Sequence, residues 1–447
     1  MNRRIRWSAR CLLALWATSS AAWAADSGRF LAVDAGAPAA SGDGSTARPF
    51  ATIRAAIDKA VSGDTIKVAK GVYSENVVID RKNLTLLGGF SSGDFAKSDP
   101  SSNRTVIQGN ASAPTVQVKS AESGQIDGFK ITGGLHGVEL IGSKEIVISR
   151  NVVEGNGRLD GPTGGGIRFL DVRNITIRSN EIVKNKAGDG GGGIGYQRGK
   201  SVENLIIDGN HLAYNAAGGE HGGGAFIFGT GTVSNNHIEH NEASYGSGIF
   251  IDGGAFTCTN NIIHNNKSHG IFVIDYSHKG TELHHTLEHN LIYGNEFGFG
   301  TYWASLSIIN CTMADNSAGA MDRRDDPKQI IEIKNSILWH NGLNPNGLNI
   351  SYTLSEAPLP GTGNIKGDPL FASTDKNVPD YHLKSAAGRW DPKAKNEAGD
   401  WVTDAVTSPA IAVGDPSAEY TKQLKPSGGR IELGMYGNTP EASKSTK

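Results

Sequence analysis

The chain runs to 447 residues, 38% of them apolar and only 7% aromatic, with 59 glycines. That balance excludes a helical bundle and favours a turn-rich all-β chain long enough to bury a large core. A formal charge of −2 gives no electrostatic reason to bind nucleic acid or an anionic membrane, so both are set aside as partners.

Residues 1–24 join a basic start to a short apolar stretch and a small-x-small end at Ala22-Trp23-Ala24, the pattern of a cleaved secretory signal. Cys11 precedes the apolar stretch, which argues against a lipoprotein. No later segment approaches the ~18 apolar residues of a membrane span. The expectation is a secreted or periplasmic protein whose residues 28–447 form a single domain. "PFATIRAAIDKA" from Pro49 reads as a short helix over about 50–61, and "GDTIKVAKGVYSENVVI" from Gly63 as strands with a turn between them.

From Asn151 one hexapeptide recurs: "NVVEGN", then "NEIVKN" at Asn180, "NHLAYN" at Asn210, "NHIEHN" at Asn236, "NIIHNN" at Asn261 and "NLIYGN" at Asn290. Cys311 and Ser336 continue its first position, with spacings of 29, 30, 26, 25, 29, 21 and 25 residues, and asparagine holds the sixth position through Asn341. A period in the twenties marks a solenoid. Aliphatic residues stand two after the first Asn (Val153, Ile182, Leu212) and three before it (Ile177, Ile207, Val233), and a further set follows a glycine (Ile167 after Gly166, Ile194 after Gly193). Three short strands per coil with period 2 describe a parallel β-helix. The asparagines are assigned to the turns, in the left-handed region and amide-bonded from coil to coil, as architecture rather than chemistry. Cys258 falls in the aliphatic column and Cys311 in the Asn column two coils on. That is about 10 Å along the axis, too far to bridge.

"DGSTARPFATIRAAIDKAVSGDTIKVAKGVYSENVVI" from Asp43, with "DPKAKNEAGDWVTDAVTSPAIAVGDPSAEY" and "GGRIELGMYGNT" near the other end, resembles secreted right-handed parallel β-helix proteins of the pectin-lyase-like superfamily. The branch includes chondroitinase-B-like and alginate-lyase-like enzymes. The resemblance implies an all-β, right-handed parallel β-helix solenoid with a short N-terminal capping helix, and irregular closing coils and tail over 368–447. Right-handedness also follows from the bias of parallel crossovers. A monomer acting on a polysaccharide is expected, although fold is specified far better than substrate.

Chemistry must come from residues that leave the repeat. The intervals from strand glycine to next Asn are longest after Gly193, Gly270 and Gly319, at 17, 20 and 17 residues, and carry "YQRGKSVEN", "DYSHKGTELHH" and "DRRDDPKQ". Outward positions two and four after the glycines add Arg168, Gln197, Phe226, Phe228, Phe250, Asp252, Phe272, Tyr302, Met321 and Arg323. The phenylalanines either form a floor for sugar rings or are buried under a folded-over loop. Eliminative cleavage of a uronate polymer needs a cation for the carboxylate, a base beside it and an acid for the departing oxygen. Arg323 and Arg324 suit the carboxylate, Lys279, His278 or Tyr276 the base, and Tyr302 the acid. Arg168, Gln197, Asp252, Asp275 and Trp303 are expected to line the substrate. Similarity to chondroitinase B implies Lys279 with Arg323 near bound calcium, and Asp322, Asp325 and Asp326 are the carboxylates suited to Ca2+. Two other readings stand beside the lyase. A glycoside hydrolase would use paired carboxylates such as Asp252 and Asp275, although "SHG" at Ser268 lacks the rest of the polygalacturonase-type motifs. A carbohydrate-binding or adhesion solenoid would use the face without catalysis. His285 is expected to point into the core, and "GGEHGGG" is expected on a different edge, from which Glu220 or His221 can lean over the groove.

Overall fold

The computed structural model describes residues 28–38, 42–275, 284–324, 328–391, 393–394 and 400–446; the segment read as a secretory signal lies outside them. Among these residues the chain winds into a solenoid of parallel strands in three long sheets. A long-strand sheet runs from Phe30–Val33 to Asn349–Ser351, an asparagine-flanked sheet from Gly71–Tyr73 to Ile365–Lys366, and a glycine-led sheet from Val77–Asp80 to Gly319–Arg324. Between Thr65 and Arg324 each coil visits the three in that order. The one helix among the described residues, Ile53–Lys59, closes the first coil with Ile53, Ala56 and Ile57 buried. Its N-terminal donors are satisfied by Thr52, which accepts from Ala55, and by the Glu75 carboxylate, which accepts from Ile53 and Arg54 at 2.9 and 3.0 Å.

The aliphatic columns stack in register. Ile177, Ile207, Val233, Cys258, Leu287 and Ile308 pair down the long-strand sheet, and Ile182, Leu212, Ile238, Ile263, Ile292 and Met313 down the asparagine-flanked one. All twelve are at most 1% exposed. Each such burial contributes about 1.5–3 kcal/mol before chain entropy is charged against it. Cys258 and Cys311 are buried, unbridged thiols, as their columns require, and burial pushes both up to about 12. His285 is buried as well, its Nδ1 accepting from the Phe256 backbone at 3.3 Å.

Both asparagine columns form continuous bonded stacks. Oδ1 of Asn180 accepts from the backbone N and Nδ2 of Asn151 at 3.0 and 3.1 Å, and the relation passes through Asn210, Asn236 and Asn261 to Asn290. The second column behaves likewise up to Asn341. One detail differs from expectation. The left-handed residue is the one before each asparagine, as at Arg150, Ser179, Asn235, Asn260 and His289, and not the asparagine itself. The asparagine amide instead reaches back to the preceding coil, Asn236 Nδ2 donating to Ile207 O at 2.9 Å. At Cys311 the amide stack stops, and Sγ donates to the carbonyls of Ile309 and Leu287 at 3.3 and 3.4 Å.

Near the end of the glycine-led sheet the continuous pairing lies one residue away from the register that the glycine spacing predicts, and this matters for the site. Phe297 pairs with Gly319 and Gly300 with Asp322, so Ala320, beneath Gly298, takes the glycine position. A one-residue slip exchanges the faces of a strand. Met321 and Arg323, expected outward, share the parity of core-facing Phe299 and Thr301; Asp322 and Arg324 face outward. Beyond Phe371 two short antiparallel pairs form, Phe371–Ser373 with Asp380–Leu383 and Arg389–Trp390 with Trp401–Val402. Phe371, Tyr381, Leu383, Ile411 and Leu433 pack on Leu291, Ala314, Ile337 and Leu354, covering the outer side of the last coils of the asparagine-flanked sheet. No helix among the described residues is long and apolar enough to cross a membrane.

Candidate functional site

Functional side chains gather on the outward face of the glycine-led sheet. Gln117, Glu139, Arg168, Gly195, Phe226, Phe250, Phe272, Gly300 and Asp322 occupy successive register positions along it. A parallel row holds Asp252, Ile274, Tyr302 and Arg324. The middle of the face is apolar and closed: Phe226, Phe250 and Phe272 are at most 1% exposed. His221 stacks 5.4 Å from Phe226 and meets Phe250 edge-on at 4.6 Å, while Tyr245 lies 5.4 Å from Phe272. The loops entering each strand fold over these rings, so they are not a floor for sugars. Gly300 is required beneath them, because a Cβ there would meet Phe272 Cδ2 at 2.3 Å and His269 Cδ2 at 2.6 Å.

At the N-terminal end of the face, Arg168 donates to Glu139 at 2.7 Å and to Gln197, and Gln117 donates to the other Glu139 oxygen. Glu139 is buried, and His136 beside it donates from Nδ1 to Gly164 O at 2.6 Å, burial pushing its imidazole below the usual histidine range. Arg168 and Gln197, both expected to line the substrate, thus bond to each other and to Glu139, while Arg168 Nε and His136 Nε2 are buried without a hydrogen-bond partner. One coil on, Tyr196 donates to Asp252, Arg198 lies 3.5 Å from the same carboxylate, and Arg198 Nη2 stands 3.0 Å from His221 Nε2. Burial first, then the Arg198 charge, pushes His221 down, and burial with the Asp252 hydrogen bond pushes the Tyr196 phenol well above its usual range. Arg198, 42% exposed, is the reachable cation here.

The C-terminal end is more open. Tyr302 donates to Asp322 Oδ2 at 3.4 Å, His269 Nε2 sits 3.1 Å from the same oxygen, and the Arg324 guanidinium lies 4.3 Å over the Tyr302 ring. Burial, then the Asp322 charge, pushes Tyr302 up to about 12; the His269 hydrogen bond pulls Asp322 below the usual carboxylate range. Trp303, 6.0 Å from Tyr302, holds a φ of 66°, a strained setting for a bulky side chain of the kind found around functional sites.

Tyr302, Trp303, Asp322 and Arg324 thus come together. Arg323 does not join them: it donates to the Asn346 carbonyl, and the expected pairing of Arg323 with Arg324 on one carboxylate fails because the strand sits one residue off the predicted register. Asp252 and Asp275 are 8% and 3% exposed; Asp252 is held by Tyr196, and Asp275 is bonded through its backbone to Tyr302 O at 3.0 Å. Tyr276, His278, Lys279, Asp325 and Asp326 lie outside the described residues. Sequence reasoning did not single out Tyr196, Arg198, Glu139, Tyr245 or His269. The glycine-rich entry loops were the available signal, since backbone that approaches so closely has room only for glycine.

A family model described as a right handed beta helix region matches residues 97–253, and one described as disaggregatase related matches residues 332–414. No curated protein matches. Among solved structures, the pectate lyase Pel9A aligns over 91% of this chain and 96% of its own with a TM-score of 0.54 and 12% identity. An alginate lyase from Paenibacillus sp. str. FPU-7 aligns over 72% of this chain and 99% of its own, with a TM-score of 0.43 and 16% identity. Likeness at such identity speaks to fold.

Proposed function

We propose that this protein, a right-handed β-helix of the pectin-lyase-like fold, is exported and cleaves an acidic, uronate-containing polysaccharide by β-elimination. The observation that carries the reading is Tyr302, a phenol held protonated, bonded to Asp322 and roofed by Arg324. In the reaction a base removes the proton from the carbon bearing the carboxylate. Its electrons form the double bond, and the neighbouring carbon releases the glycosidic oxygen, which takes up a proton. Arg324, without Arg323 beside it, neutralises the carboxylate. Tyr302 gives its proton to the leaving oxygen and regains one from water. The base is drawn from Tyr276, His278 and Lys279, which follow Asp275 in the sequence, and Arg198 holds a uronate further along the face. The fold shared with a pectate lyase over nearly its whole length supports a carbohydrate substrate.

Hydrolysis by Asp252 and Asp275 is less well supported, because both carboxylates are buried. Asp322, one of the three residues considered for calcium, is engaged by His269 and Tyr302 and lies near a guanidinium, so no step is routed through a metal; calcium enters as a condition of the assay. The test is incubation of the mature protein with alginate, pectate and chondroitin, with and without calcium, following ultraviolet absorbance. Elimination leaves an absorbing unsaturated uronate. Reducing ends without absorbance would mark a hydrolase, and binding without product a carbohydrate-binding module.

A further inference from the structure

Away from that face, the outer side of the asparagine-flanked sheet carries a cluster the proposed chemistry does not use. His211 pairs in register with His237, and Glu239 with His264 on the next coil. We infer that His211, His237 and Glu239 form a binding site for a transition-metal ion of the Zn2+ class, with His264 as fourth ligand. One ligand atom from each of the first three lies within 4.8 Å of the others. Donors about 2.0–2.1 Å from a tetrahedral Zn2+ sit roughly 3.3–3.5 Å apart, so the cluster closes on an ion by little more than a rotamer adjustment. Nε2 of His237 and Nε2 of His264 stand 2.7 Å apart. Two imidazole lone pairs approach that closely only around a shared proton or a cation.

The donor set selects the metal. Three imidazoles with one carboxylate suit Zn2+ and its first-row neighbours and not Ca2+ or Mg2+, which take oxygen. Glu239 is already oriented, with His211 Nε2 2.9 Å from one oxygen and His240 Nδ1 3.0 Å from the other; His240 therefore supplies the outer contact that a ligating carboxylate needs. His264 is 8% exposed, and its Nδ1 has no hydrogen-bond partner. Tyr293 stacks on His264 at 4.7 Å and itself packs on Tyr381 of the C-terminal region. The cluster thus sits at the margin where that region stops covering the sheet. Access is from the His211 side, which is 38% exposed. An ion held here would clip three consecutive coils together at that margin.

The test uses the full mature chain, stripped with a chelator and dialysed against Zn2+. Elemental analysis should return a single bound equivalent, and Zn2+ should raise the unfolding midpoint by about 3 °C or more at saturation. His211→Ala, at the exposed edge, and Glu239→Gln, nearly isosteric, keep the fold testable should His237→Ala not fold. Each should bind Zn2+ at least about tenfold more weakly and lose the thermal shift, with activity on polysaccharide unchanged. A wild-type protein that retains no Zn2+ after dialysis, or variants that bind it as tightly as wild type, would overturn the site.

Discussion

Tyr302 and Arg324 illustrate how a side chain acquires a task from what lies against it. A phenol pushed up to about 12 by burial and the Asp322 charge stays protonated at any working pH, which suits a proton donor and not a base. Arg324 above its ring brings a fixed planar cation to the place where a sugar carboxylate would lie. Arg324→Ala is expected to weaken binding of an acidic oligosaccharide about tenfold, the scale of one charge-assisted pair, while leaving a neutral oligosaccharide of equal length unaffected. Calorimetric titration of both ligands distinguishes a carboxylate clamp from a packing residue, since loss of both would contradict the clamp. Tyr302 was legible in the sequence as an outward position of the repeat, four after Gly298, and the "DRRDD" segment because it leaves the repeat. The choice between Arg323 and Arg324 was not, because Ala320 replaces glycine in its column and the spacing argument then runs one residue out of phase. The meeting of Arg198 with His221 was harder still: it arises only because an exit loop and an entry loop from neighbouring coils fold back onto one face.

At the level of the coil, the asparagine stacks couple each turn to the next. Asn241 receives two bonds from Asn215 and gives two to Asn266, and its amide also reaches the Leu212 carbonyl. Asn241→Ala keeps the backbone bond to Asn266 but removes the partner of both Asn215 donors and of the Leu212 carbonyl, and a loss of about 1–3 kcal/mol in unfolding free energy is expected with turnover unchanged. Chemical denaturation beside an activity assay checks both halves; lost activity at unchanged stability would contradict an architectural role. The columns were readable because eight asparagines repeat with little else held constant. Closure of the face over Phe226, Phe250 and Phe272 was not, because glycine-rich loops have no side-chain periodicity to read. Gly300→Ala tests that closure: with Phe272 and His269 in the way, an overpacking cost of about 1–3 kcal/mol is expected in the same denaturation experiment.

Across the whole molecule, the C-terminal region is tied to the solenoid by Lys334 with Asp415 and by bonds from Asp415 and Gly434 to Asn335. Within it Glu432 is fully buried, accepts one bond from Ser443 N and has a second oxygen without a partner. Burial pushes its carboxyl from 4.5 up to about 8. The folded state then holds this proton more tightly than the unfolded chain, so the group costs stability increasingly as pH rises from about 4.5 to about 8, and constantly above that. Glu432→Gln should remove the penalty, raising the unfolding midpoint at pH 8 more than at pH 5; an equal shift at both would contradict the buried-acid account. The claim on which the functional account stands is that this β-helix eliminates across a uronate linkage with Tyr302 as acid. The most direct measurement is the rate of ultraviolet absorbance gain on an acidic polysaccharide by wild type and by Tyr302→Phe. The account predicts that wild type generates the unsaturated product and that Tyr302→Phe loses about 100-fold or more in rate while binding the polymer with unchanged affinity. Equal rates for the two proteins, or cleavage by wild type without any absorbance gain, would contradict it.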